Sequence, residues 1–95
     1  MFLHLGNGVS VRTKDVLTIN DYALFQAGPG KALLERQRAA GLLVSTLDPD
    51  DETPIKSLIL TKDKAYLSVI SPLTLKRRSQ LVYDTLDNDR TDEIE

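Results

Sequence analysis

The chain has 95 residues, enough for one domain that buries about 60 to 65% of the surface of its unfolded form. It contains no cysteine and one histidine, which excludes disulfides, thiolate metal sites and histidine clusters. The formal net charge is −2, and no apolar run approaches the roughly 18 residues that cross a bilayer. The N-terminal residues lack the features of a signal peptide, so we expect a cytoplasmic protein without membrane contact.

The first third of the chain predicts three short strands. Phe2–Leu5 is an apolar run, and Val9–Val11 alternates apolar with polar residues. Between them, Gly6-Asn7-Gly8 is a strong turn signal. Val16–Ile19 is rich in β-branched residues and predicts a third extended segment. Residues 12–15 between the last two strands predict a polar bend.

A helix is predicted over Lys31–Ala40, because this segment is rich in residues with high helix propensity. Pro29 stands where a proline fits the first helical turn. Gly41 follows the last apolar positions, where a C-terminal capping glycine belongs.

The second half of the chain predicts more strands and a second helix. Leu42–Leu47 is a strand candidate, and the acidic, proline-bounded segment 48–54 predicts a loop. Residues 55–70 predict a hairpin that turns at Lys62–Lys64 and lies at the centre of the sheet. Ser71 and Pro72 predict the N-terminus of a C-terminal helix that starts at about residue 72.

These elements predict an α+β domain with a small mixed sheet of about five strands and two helices. Residues 1–83 form the domain. Residues 84–95 contain six acids, one base and few apolar residues. They are therefore predicted to be a disordered tail.

The charges are unevenly distributed. Residues 84–95 carry −5 and residues 1–83 carry +3, although four acids cluster at Asp48, Asp50, Asp51 and Glu52. The remaining body therefore carries +7. A basic body with acidic appendages is typical of proteins with a nucleic-acid partner, and it is equally compatible with an ordinary solvated surface.

No pattern of residues predicts an active site. Gly30-Lys31 lacks the earlier glycine of a phosphate loop, since Phe25 holds that position, and Ala32 replaces the required hydroxyl residue. The acids at 50–52 lack the spacing of an EF-hand, although carboxylates there could bind a hard cation. The serines have no second histidine or glycine elbow to activate them. We expect no enzymatic activity, no cofactor and no small-molecule substrate.

Cations provide the clearest candidates for binding. Lys76, Arg77 and Arg78 occupy consecutive positions of the second helix, where some of them must face solvent and could hold phosphate. Basic residues on an exposed helix are also common without function. Further cations stand near predicted strand ends, at Arg12, Lys14, Lys56, Lys62 and Lys64.

Four segments resemble the RemA/RemB family of extracellular-matrix (biofilm) regulatory proteins, and the RemB branch in particular. They are MFLHLG (1–6), VRTKDV (11–16), PIKSLIL (54–60) and YLSVISPLTLKRR (66–78). The resemblance spans about residues 1 to 83. It implies a bacterial DNA-binding regulator that assembles into closed rings, contacts DNA through basic residues and uses no cofactor.

One departure from the family pattern concerns the contact with DNA. RemA-like members carry consecutive arginines just before the strand that matches Ile55–Leu60, whereas this chain has acids and threonine at 50–53. Lys14 and Lys56 are the cations nearest to matching positions. An acidic loop that faced DNA would be repelled by it.

Two functions follow as hypotheses. The first is a homo-oligomeric transcriptional regulator that binds double-stranded DNA through the following side chains: Arg12, Lys14, Lys56, Lys76, Arg77 and Arg78. The alternative is an oligomeric protein-interaction or assembly module that does not bind DNA. Under the first hypothesis the acidic tail 84–95 would compete with DNA for the basic surface. Under the second, the acidic loop and the tail could bind a protein partner.

Overall fold

The computed structural model describes residues 1–79, which form six strands and two helices. The strands are β1 (Phe2–Gly6), β2 (Val9–Arg12), β3 (Val16–Asp21), β4 (Leu43–Ser45), β5 (Ser57–Thr61) and β6 (Ala65–Ser68). The helices are α1 (Gly28–Ala39) and α2, which is helical over residues 72–79 of the described part. The predicted α+β class is confirmed. The predicted tail lies outside the described residues.

The strands divide into two sheets instead of joining in one. β1 and β2 form an antiparallel hairpin, and the other four strands form a sheet in the order β3-β5-β6-β4. The division arises at the predicted bend, where Thr13–Asp15 forms a short 3-10 turn and directs the chain into the second sheet. In that sheet β4 runs parallel to β6 and the other pairs are antiparallel, so the sheet is mixed as predicted.

The β5–β6 hairpin lies at the centre of the four-stranded sheet, as the sequence predicts. Thr61 closes its turn: the Thr61 backbone N–H donates to the Lys64 carbonyl at 2.9 Å, and its side-chain hydroxyl accepts from the Lys64 N–H at 3.1 Å. In the other hairpin, Asn7 has φ of 51° between two glycines that also have positive φ, so the glycine-rich turn is required by the backbone.

Two apolar cores lie on opposite faces of the four-stranded sheet, because neighbouring residues of β5 point in opposite directions. Ile59 packs with the β1–β2 hairpin and with Leu75 of α2. Leu58 packs with Leu34 of α1 on the other face. The domain therefore has three layers, with α1 on one side of the sheet and the hairpin and α2 on the other.

The helix ends agree with their predicted signals. α1 begins three residues earlier than predicted, at Gly28, with Pro29 in its first turn, and Gly41 adopts a φ of 74° after its last residue. Gly30 packs closely against the preceding turn, where a Cβ atom would clash with the Leu24 carbonyl oxygen. The Ser71 hydroxyl caps α2 by accepting from the Thr74 N–H at 3.1 Å.

Strand register defines two ends of the domain. Val16 pairs with Thr61 at one end, and Asp21 pairs with Ser57 at the other. We call these the Thr61 end and the Ser57 end. β6 runs from the Thr61 end to the Ser57 end, where Ser68 pairs with Ser57.

A buried serine joins the two sheets. Ser68 is fully buried, and its hydroxyl donates to the Leu5 carbonyl at 2.7 Å and accepts from the Ile70 N–H at 3.0 Å. The bond to Leu5 connects β6 to β1 across 63 positions of the chain.

Replacing Ser68 by alanine should lower the free energy of unfolding by about 1 to 3 kcal/mol, because the buried Leu5 carbonyl and the partly buried Ile70 N–H lose this partner. Urea denaturation would measure the change. The exposed Ser10→Ala variant is the matched control and should lose much less. Equal stability of the Ser68→Ala variant and the unsubstituted protein would contradict a role for this bond in joining the sheets.

Candidate nucleic-acid interface

The three consecutive cations of α2 all face away from the core. Leu75 and Ser79 are buried one turn apart, which fixes the inner face of the helix. Successive residues of an α-helix are rotated by about 100° around its axis, so Lys76, Arg77 and Arg78 point away from this inner face. All three are exposed. Within residues 1–79 none of the three forms an ion pair. The three side chains therefore extend to solvent from the outer side of α2.

Lys56 lies beside the start of α2. It precedes β5 at the Ser57 end, and its backbone N–H donates to the Ser68 carbonyl at 2.9 Å. Lys56 and Pro72 line the same open hollow, which has a volume of about 350 Å³. The structure thus brings Lys56 close to the helix that carries the other three cations.

Arg12 and Lys14 lie at the opposite end of the sheet, with Lys62 of the β5–β6 turn. Asp15 connects two of these cations: its carboxylate lies 3.0 Å from the Arg12 Nε and 3.8 Å from the Lys62 Nζ. The Asp15 side chain is 20% exposed, whereas those of Arg12 and Lys62 are 55% and 61% exposed. Asp15 is therefore less exposed than the two cations that it contacts, and both cations remain accessible to solvent.

Lys56 and the pair Arg12 and Lys14 therefore lie at opposite ends of the sheet. The three α2 cations follow on a helix that starts beside Lys56. The two ends of β5 are separated by about 13 Å, from four residue steps along a strand. Lys62 and Lys64, which the prediction did not include among the binding residues, join Arg12 and Lys14 because the hairpin turn lies at the same end of the sheet.

The acidic loop lies at the Ser57 end. Asp48 accepts a hydrogen bond from the Asn7 side chain at 3.4 Å, which holds the start of the loop against the β1–β2 turn. Asp51 accepts from both the hydroxyl and the backbone N–H of Thr53, at 2.6 and 2.9 Å. These two hydrogen bonds lower the pKa of the exposed Asp51 below its usual value. Asp51 therefore stays negatively charged at neutral pH.

Other kinds of site find little support in the part of the chain that the structure describes. No group of three or more metal-ligating side chains occurs within residues 1–79. The His4 Nδ1 lies 2.7 Å from the Ser10 hydroxyl on the outer face of the hairpin, where both residues are exposed. Among the described helices, none is both long and apolar enough to cross a membrane.

Comparison with known proteins places the chain in a family. Residues 2–78, which include both cation groups and α2 up to Arg78, match the family model described as RemA-like, extracellular matrix regulatory protein A-like. The chain belongs to the RemA-like family. The matched range covers all six strands and both helices of the described structure except the last described residue of α2.

A curated relative supports the predicted branch of the RemA-like family. The chain is 29% identical over 84 residues to extracellular matrix regulatory protein B of Bacillus subtilis (strain 168). The aligned region covers 88% of this chain and 96% of that relative. The predicted resemblance to the RemA/RemB family is thereby confirmed.

The cations clustered around Asp15 allow a direct test of the local geometry. In a double-mutant cycle, Asp15→Asn and Arg12→Ala should couple by up to about 1 kcal/mol at low salt, in line with other exposed pairs. The coupling should shrink at high salt, because the Arg12 side chain is more than half exposed. Urea denaturation of the four proteins provides the values.

Lys14→Ala is the control for that cycle, since Lys14 is exposed and forms no ion pair with Asp15. It should show no measurable coupling to Asp15→Asn. Coupling of equal size for Lys14 and Arg12 would mean that Asp15 acts through general charge and not through the observed contact.

Proposed function

We propose that this protein is a non-enzymatic, homo-oligomeric regulator of bacterial extracellular-matrix genes that binds double-stranded DNA. It acts in the cytoplasm and needs no cofactor, membrane contact or small-molecule substrate. Membership of the RemA-like family supports the regulatory role. The observation that carries the DNA contact is the exposed arc of Lys76, Arg77 and Arg78 on α2, whose charges have no ion-pair partner within residues 1–79.

The contact runs through phosphate groups. Arginine can grip a phosphate with two parallel hydrogen bonds, and a helix anchored by Leu75 presents the three cations on a rigid support. Such contacts fix the position of a protein on the duplex without reading bases. Sequence preference then depends on how readily a stretch of DNA takes up the shape that the oligomer requires.

Arg12 and Lys14 contribute less to this contact than the α2 cations. The Arg12 charge is partly neutralised by Asp15, and both residues lie at the other end of the sheet from Lys56. Lys56 is close to α2 but follows the acidic loop directly in the chain, and the loop would repel phosphate. The three α2 residues therefore provide most of the affinity.

The main test is binding to duplex DNA as a function of salt concentration. Replacing Lys76, Arg77 and Arg78 together by alanine should weaken binding at low salt. It should also make the dependence of log affinity on log salt shallower, by about 0.9 for each phosphate that the variant no longer neutralises. Fluorescence anisotropy on a labelled duplex measures both quantities, and sedimentation checks that the oligomeric mass is unchanged.

A control with the same reduction of positive charge is available on α1. Lys31, Arg36 and Arg38 are exposed on the helix that packs on the opposite face of the sheet. Their replacement by alanine should leave the salt slope nearly unchanged. If the α1 variant reduced the slope as much as the α2 variant, binding would depend on net charge, and the assignment of α2 as the DNA contact would be wrong.

The acidic loop favours a second candidate function, an oligomeric assembly module that no longer binds DNA. The relevant observation is that Asp51, whose pKa is lowered by Thr53, lies in the segment 50–54, where the family resemblance implies consecutive arginines. A well-folded oligomer without DNA affinity at low salt would support this function and exclude the first one.

The acidic segment 84–95 adds a prediction that rests on the sequence alone. With six acids and one base, it should compete with DNA for the basic surface. Deleting it should tighten DNA binding at low salt and have little effect at high salt, because salt screens the competing attraction. Titration of the same duplex with both proteins measures the difference, and equal affinity at low salt would contradict competition.

A further inference from the structure

Two sets of loop residues at opposite ends of the four-stranded sheet carry opposite charges. At the Thr61 end, the β2–β3 bend and the β5–β6 turn supply four cations, at Arg12, Lys14, Lys62 and Lys64, against the two acids Asp15 and Asp63. At the Ser57 end, residues 46–56 contain four acids and one base, Lys56. The first surface therefore carries a net charge of +2 and the second of −3.

The fold, and not the order of residues along the chain, creates this separation. Residues 46–56 join the end of β4 to the start of β5, and both of those positions lie at the Ser57 end because β4 is parallel to β6. The hydrogen bond between Asn7 and Asp48 holds the loop there. The cationic segments precede β3 and separate β5 from β6, which places them at the other end.

The cationic end also exposes apolar surface. Met1 is 74% exposed and Phe2 is 60% exposed. The Met1 carbonyl accepts from the Thr13 N–H at 3.1 Å, so the first residue lies beside the cationic bend. Phe2 and Arg12 line one hollow of about 200 Å³ together with Thr61. Exposed apolar side chains next to charged ones are typical of a surface that contacts another protein.

We propose that copies of this chain associate head to tail, with the acidic loop 48–52 of one copy on the cationic end of the next. The proposal rests on the self-association in the proposed function and names its contact surfaces. The two surfaces differ and lie at opposite ends, so the contact is heterologous and leaves one end of each kind free for a further copy. A single copy cannot satisfy its own charges, because about 13 Å of β5 lies between its two ends.

This contact gives the acidic loop a role that is compatible with DNA binding. When the loop packs against a neighbour, its negative charge is compensated and no longer opposes a phosphate backbone. The three exposed cations of α2 belong neither to loop 48–52 nor to the two turns of the cationic end, so the proposed contact does not use them. The division of cations into two groups then corresponds to two partners, a second copy at the Thr61 end and DNA at α2.

Charge reversal at each end provides the test. The loop variant carries Asp50→Lys and Glu52→Lys, which spares the hydrogen bonds of Asp48 and Asp51. The end variant carries Lys14→Glu and Lys64→Glu, which spares the ion pairs of Asp15. Sedimentation velocity at low and high salt measures self-association of the full chain, and circular dichroism checks the fold.

The unsubstituted protein should associate, and more strongly at low salt. Each variant alone should associate at least about tenfold more weakly, since like charges now meet at the contact. An equimolar mixture of the two variants should recover association, because each loop then meets an end of opposite charge. A chain with all four substitutions should also associate, since both of its surfaces have exchanged sign.

Three results would overturn the proposal: a monomeric unsubstituted protein at low salt, folded variants that associate as well as the unsubstituted protein, or a mixture that fails to recover association. DNA binding is measured on the unsubstituted protein and on the loop variant, because Lys14 of the end variant is itself a candidate DNA contact. Normal DNA binding with failed charge exchange would exclude the head-to-tail contact alone. Restored association without any DNA affinity would exclude the regulator function alone.

Discussion

The central strand β5 is buried on both faces, and the positions of the other layers depend on it. Leu58 and Ile59 are adjacent in sequence but pack into different cores, so α1 and the β1–β2 hairpin are held on opposite sides of one strand. Strand β5 also pairs with β3 and β6, which defines both ends of the sheet. Strand β5 thus determines both which elements pack on each face of the sheet and which loops lie at each end. The placement of the charged loops therefore follows from the register of β5 with its neighbours.

The two candidate binding surfaces differ in how they are supported. The cations of α2 extend from a helix whose inner face is fixed by the fully buried Leu75, and they depend on no other charged group in the described chain. The cations of the Thr61 end come from two separate turns, and Asp15 joins them through one close and one longer contact. The α2 cations therefore share one helix, whereas those of the Thr61 end depend on the relative position of two turns.

Much of the fold could be predicted because its signals are local. The capping role of Ser71, the glycine at 41 and the hairpin at 55–70 depend on backbone chemistry within a few residues. The division into two sheets could not be predicted, since a bend at residues 13–15 looks the same whether the next strand joins the first sheet or starts another. The grouping of Lys62 with Arg12 was missed for the same reason, as these residues are fifty positions apart.

The sequence by itself determined which residues are charged, that the chain lacks thiols, and that it resembles the RemA/RemB family, because composition and motif order need no coordinates. Helical periodicity also determined that consecutive cations at 76–78 must include exposed ones. Only the tertiary structure decided that Arg12 and Lys14 lie at the opposite end of the sheet from Lys56, and that the acidic loop lies opposite the cationic end. The physical reason is that strand order and direction place loops at one end of a sheet or the other, and both are set by pairing between distant segments.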